Sequence, residues 1–171
     1  MQLPGFSALT AAASSDGGLQ GTEDKTKATS PRLTSVFVSL SSTRCAGLDV
    51  DGWADELAKM KDIGVDSIIT KYSAVNRLRD DLNATYKAFY PSKLPWLTPE
   101  PVDAVGSLLE AADASNMSVH LGHWEDAAWF NKSKHDGAFL DGLAEKAIAV
   151  CSELVELYGQ HASFVGARPA R

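Results

Sequence analysis

The chain has 171 residues, 44% apolar, 22% charged and 8% aromatic, with 16 basic against 22 acidic side chains and a formal net charge of −6. These proportions suit one globular domain and exclude a collagen, a low-complexity polymer and a wholly disordered chain. An acidic chain without a Lys/Arg block repels phosphate backbones, so no nucleic acid is expected as a partner. The longest apolar run, within Leu33 to Leu40, falls far short of the roughly 20 residues that cross a bilayer, so no membrane partner is expected either. Residues 1–31 mix Ser, Thr, Gly, Asp and Lys without an apolar period and read as a disordered arm. The broken apolar stretch Phe6 to Ala13 is too short and too polar for a signal peptide.

From Leu33 to Leu40, β-branched and apolar residues bounded by turn formers predict a buried strand. Trp53, Leu57 and Met60 then recur at helical spacing, with Asp55 and Glu56 expected in the first turn, Asp51 as N-cap and Gly64 as the stop. Val65 to Tyr72 predicts a second strand buried on both faces, as in a parallel sheet. The stretch Ser73 to Pro101 reads as a long loop whose Tyr86, Phe89, Tyr90 and Trp96 suit a binding loop better than a passive connector. Thr98 is the expected N-cap of a second helix, which carries Val102, Val105, Leu109 and Ala112 and ends near Asn116. A third strand, Met117 to Gly122, leads into an aromatic and acidic loop from His123 to Trp129. A third helix, Gly137 to Tyr158, closes at Gly159, and Ser163 to Gly166 forms a short last strand.

Strand, helix, strand, helix, strand, helix, strand in that order demands parallel strands joined by right-handed crossovers. The expected fold is therefore α/β: a disordered arm over 1–31, then about four parallel strands alternating with three helices over 32–171. Either an open sheet or the first half of a (β/α)₈ barrel fits; a whole barrel takes about 250 residues. The run Trp53 to Asp66 (WADELAKMKDIGVD) with its following strand, the triplet Tyr90-Pro91-Ser92, the helix segment Leu108 to Asp113, the strand Met117 to Gly122 and the segment Leu157 to Gly166 together resemble the N-terminal half of DUF4434, a family of glycoside-hydrolase-like barrels. The resemblance implies a partial (β/α) barrel from a carbohydrate-active lineage and would allow secretion. It also implies a carboxylate beyond the fourth strand, where this chain instead reads Ala167 to Arg171, like a family member truncated or frame-shifted at that point. The expectation is a fragment of such a barrel, inactive as it stands; the alternative is a non-catalytic carbohydrate-binding or protein-interaction module.

Barrel chemistry sits at the C-terminal ends of strands. There Glu125 is the candidate catalytic carboxylate, because Trp124 and Trp129 beside it could stack on sugar rings and lower the local dielectric, the setting a general acid requires. The plainer alternative is that Glu125 and Asp126 begin a solvated turn. Hydrolysis takes two opposed carboxylates, and no convincing second one is present: Asp49 and Asp51 lie at a helix start, and Glu100 suits a helix dipole. Tyr72, Tyr90, Trp96, His123 and Trp124 are the candidate substrate-binding residues: Tyr72, Tyr90, Trp96 and Trp124, with Trp129, would form an aromatic rim suited to pyranose rings, and His123 could hydrogen-bond a sugar hydroxyl. Equally, Tyr90 and Trp96 could pin the long loop to the scaffold. Trp53 reads as core.

His120 and His123 fall on opposite faces of a strand end, His120 as an interior histidine, and no third ligand lies nearby, so neither metal nor other cofactor is expected. Cys45 lacks a partner base, and Cys151 reads as a small buried hydrophobe. Asn83, Asn116 and Asn131 open glycosylation tripeptides, Asn116 the least accessible. Uncovered sheet edges predict self-association.

Overall fold

A computed structural model describes residues 33–42, 44–45, 47–77, 85–130 and 136–166. The expected arm over 1–31 and the residues Asn83 and Asn131 lie outside them. In chain order the elements are β1 (Ser35–Val38), α1 (Val50–Asp62), β2 (Ser67–Thr70), β3 (Ala74–Arg77), β4 (Thr85–Ala88) and β5 (Thr98–Pro99). There follow α2 (Ala104–Ser115), β6 (Ser118–His120), β7 (Trp124–Asp126), a 3-10 turn over Ala127–Phe130, and α3 (Gly137–Tyr158).

β1, β2 and β6 form a parallel sheet in that order, and Phe164 bridges Val119 in parallel on the far side of β6. Each step from strand to neighbouring strand passes through a helix. The result is the expected α/β arrangement, four parallel positions alternating with three helices in an open, partial barrel.

Register divides this sheet into two rows. Val36, Ile68 and Val119 sit side by side, and Ile68 and Val119 are fully buried with Trp53 and Leu57 of α1 and Val105, Leu108 and Leu109 of α2. Burying a side chain such as Leu57 contributes roughly 1.5–3 kcal/mol. The alternate row is Phe37, Ile69 and His120. Phe37 is 75% exposed and His120 is exposed rather than interior. The helices therefore cover one face, while on the face that lines the inside of a closed barrel Phe37 and His120 stand exposed and Ile69 is half-buried.

The helix ends correct three expectations. α1 starts at Val50, so its first turn holds Asp51 and not Asp55 and Glu56. Asp49, in extended conformation, is the N-cap of α1 and accepts from the Gly52 amide at 2.9 Å, while Asp51 falls in the first turn, where the helix dipole favours it. Asp103, not Thr98, caps α2 by accepting from the Gly106 amide at 2.8 Å. Pro99 and Pro101 explain the shift, because each holds the residue before it in an extended conformation; Thr98 and Pro99 accordingly pair with β4 as β5. Gly64 closes α1 at φ 92°, and Asn116 closes α2 in the left-handed region at φ 51°, exposed rather than wedged in. Asp136 caps α3, and its bounds are those expected.

The stretch expected as a loop after β2 is largely sheet. β3 and β4 pair antiparallel, β5 lies outside β4, and β7 pairs parallel to β3, giving the order β5-β4-β3-β7. β2 continues into β3 after a bend at residues 71–73, and β6 into β7 after a bend at 121–123. The bends interlock: the amides of Ser73 and Ala74 donate to the His123 carbonyl at 2.9 and 3.0 Å, and the Gly122 amide donates to Thr70 Oγ1 at 2.9 Å. A Cβ at Gly122 would collide with the Thr70 and Lys71 carbonyl oxygens, so only glycine allows this approach.

Candidate functional site at the C-terminal strand ends

The second sheet stands where barrel loops carry chemistry, and its two faces differ. The rows Asp126–Asn76–Tyr86 and Trp124–Ala74–Ala88 lie on one face; the row Glu125–Val75–Lys87 lies on the other. Glu125 and Trp124, adjacent in sequence, thus point apart. Trp124 therefore turns away from Glu125 and does not enclose it.

On the Glu125 face, the end of β2 supplies Lys71 and Tyr72. Lys71 Nζ lies 3.1 Å from Glu125 Oε2, 3.2 Å from Oε1, and 5.2 Å from the centre of the Tyr72 ring. Tyr72 is buried, and its hydroxyl lies 2.7 Å from Ser41 Oγ and 3.4 Å from Ser39 Oγ, tying the end of β2 to the end of β1. His123 is exposed, with Nδ1 accepting from the Trp124 amide at 2.7 Å. Lys87 and Glu100 form a second ion pair, beside a cavity of about 170 Å³ lined by Leu40, Ser41 and Phe89. Lys71, whose part the sequence did not signal, therefore joins Glu125 to Tyr72.

The other candidates lie on the α3 side. Tyr86 stacks on Trp124 (centroids 5.7 Å, planes 8° apart), and Trp96 stands edge-on to both rings at 6.3 and 5.1 Å. Lys146 of α3 completes the cluster, its Nζ 5.1, 5.8 and 5.7 Å from the centres of Tyr86, Trp96 and Trp124. A half-buried ammonium over several ring faces is worth about 0.5–2 kcal/mol per good contact. Tyr90 is fully buried, and its hydroxyl donates to Glu153 Oε2 at 2.9 Å; Ser92 Oγ and the Lys93 amide bond the same carboxylate at 2.6 Å. Burial pushes the Tyr90 hydroxyl well above its ordinary range, and the Glu153 carboxylate adds to the shift. Tyr90 thus fastens the chain to α3.

Asn76 carries no signal in the sequence and Asp126 reads there only as part of a solvated turn, although Trp124 and Asp126, two apart, carry the alternation of a strand. Both are buried, and Asn76 Nδ2 donates to Asp126 Oδ1 at 3.0 Å. Burial raises the Cys151 thiol, which suits a structural role. Among the described residues, no group of three His, Cys, Asp or Glu side chains could hold a metal, and no helix is long and apolar enough to cross a membrane.

An open parallel sheet with crossover helices on its outer face and polar side chains gathered beyond its C-terminal strand ends defines a β/α-barrel protein. The model of DUF4434, a domain of unknown function, matches residues 34–167, and the chain belongs to that family. Among solved structures it is similar to a crystal structure described as a "putative alpha-L-fucosidase" from Bacteroides thetaiotaomicron, at 24% identity and a TM-score of 0.59. That alignment covers 79% of this chain and 40% of the other, so the chain spans well under half the length of that protein. No curated protein matches.

Proposed function

We propose that this domain is part of a carbohydrate-active, glycoside-hydrolase-like barrel, that it meets carbohydrate at its C-terminal strand ends, and that by itself it does not hydrolyse it. The family supports the barrel reading, and the description of the similar structure supports a sugar substrate. The observation that carries the inactivity is the state of the carboxylates at the mouth: Glu125 is paired with Lys71 and Glu100 with Lys87. Hydrolysis uses one carboxyl group as acid and a second facing it as base or nucleophile, roughly 5–9.5 Å apart. A carboxylate held by an ammonium is engaged as a charge partner, and binding is the role left to Tyr72, His123 and Glu125. Trp96 and Trp124 serve that role from beneath, by fixing the sheet. The uncovered row at Phe37 suits association with a second polypeptide surface.

The test is reducing-sugar release from a panel of oligosaccharides and aryl glycosides by the purified chain and by Glu125→Gln. No release by either protein is expected. Release by the parent that Glu125→Gln abolishes would overturn the inactivity and make Glu125 a catalytic residue.

A further inference from the structure

The parallel sheet ends on two open edges. β1 pairs only with β2, and on the far side Phe164 bridges Val119 with no strand beyond it among the described residues. All four positions run in one direction, so the outer edge of β1 and the outer edge of 163–166 can pair with each other as parallel strands. An open edge is a template for another chain. The barrel-side row runs the whole way between the two edges. Phe37 is 75% exposed, Ile69 half-buried and His120 exposed, and Val165, turned to the opposite side of its strand from Phe164, is 47% exposed.

The surfaces flanking these edges differ in charge. Beside β1, a groove of about 450 Å³ lies against α1, lined by Val36, Trp53, Met60 and the exposed Ile63. Its rim carries Arg44 and Lys59, which share the one carboxylate of Glu56, so a positive charge is left over. α3, the helix that leads to the other edge, exposes the opposite chemistry on one stripe: Asp141, Glu145 and Glu156 around Ile148. We propose that the domain pairs with a second copy of itself about a two-fold axis, β1 of each copy adding to 163–166 of the other. Four parallel positions from each copy then make the eight of a closed barrel, and no edge is left open. Phe37 of one copy stands beside the other copy's Val165, and the acidic stripe of α3 is brought toward the rim of Arg44 and Lys59. Each edge carries what the other lacks, within one sequence, which identifies the occupant as a second copy. The inference rests on the open-barrel reading above and turns its uncovered row at Phe37 into a defined junction.

The experiment is sedimentation velocity of the full chain from about 1 to 100 μM, with circular dichroism to check folding. A dimer of twice the 18.2 kDa chain mass is expected. Phe37→Lys and Val165→Glu change side chains that a single copy leaves exposed. Each should raise the dissociation constant by about a hundredfold or more, since every dimer loses the contact twice. Mixing the two variants should restore the dimer, because the mixed pair has one unaltered junction and one in which lysine meets glutamate. Ile148→Arg serves in place of a strand variant that fails to fold, and should also weaken the dimer. A parent chain that stays monomeric to about 100 μM, or that forms species larger than a dimer, overturns the closed pair. A dimer unmoved by the folded variants, or not restored by mixing them, overturns the placement of its junctions. Sugar release decides the carbohydrate reading independently, so the two fail separately.

Discussion

β2 and β6 each run out of one sheet into another, and the side chains they carry change character at the crossing. In the first sheet the covered row is Val36, Ile68 and Val119, packed by α1 and α2; in the second, the row facing α3 is Asp126, Asn76 and Tyr86. The bends at residues 71–73 and 121–123 therefore separate two duties. The first sheet packs its apolar row against two helices, and the second, whose Ala74, Val75, Ala88 and Trp124 also join the core, carries in addition a polar row beside space. A barrel achieves this division because its strand ends are fixed by the core beneath them.

The strongest way to break this comparison is to remove apolar volume from the first sheet and compare the cost with a deletion in the second. Ile68 is fully buried at the centre of β2. Ile68→Ala should lower unfolding stability by about 2–5 kcal/mol through lost transfer energy and a residual void, read from urea unfolding. Asn76→Ala removes one hydrogen bond and also the unpartnered amide oxygen, so its cost should stay near 1 kcal/mol. Equal costs would mean that the second sheet is as structural as the first.

The same division governs how much the sequence revealed. The strand-helix alternation from Leu33 to Tyr158 was legible because long amphipathic helices such as Gly137–Tyr158 repeat their signal over several turns. β3, β4 and β7 look like loop in the sequence because three or four residues carry too little alternation to separate a strand from irregular chain, and because proline-flanked, aromatic segments suggest loops. Reading His123 to Trp129 as loop put Glu125 and Trp124 in one site; pairing of β7 with β3 puts them on opposite faces. The Lys71–Glu125 and Asn76–Asp126 partnerships join residues about fifty positions apart, and no local pattern announces them.

A middle-sized effect lies at the fourth parallel position, where Phe164 meets Val119. That contact is secured from α2: Asp113 Oδ1 accepts from the Ser163 amide at 2.6 Å, and Oδ2 lies 2.7 Å from His161 Nδ1. Burial alone pushes the Asp113 carboxyl up, but the Ser163 hydrogen bonds and His161 outweigh it and hold the group below the usual carboxylate range. A depressed folded-state pKa adds stability above the unfolded value, about 3.9, and that stability is lost as pH falls through the folded value. Asp113→Ala should therefore cost about 1–3 kcal/mol near neutrality, and its difference from the parent should shrink below about pH 4. Thermal melts across that range measure it; a constant difference would mean the carboxylate charge does not secure the fourth strand.

The smallest expected effect has the opposite sign. Gly142 is helical and a Cβ there would enter open space, so Gly142→Ala meets no neighbour and recovers helix propensity together with lost unfolded-chain freedom. A gain of about 0.5–1 kcal/mol in unfolding stability follows. Gly142 lines the space beside Asn76 and Asp126, so the stability it costs goes with an unfilled cavity rather than with packing. A loss of stability on Gly142→Ala would show that the space is already needed by the fold, and the second sheet would then join the first as scaffold.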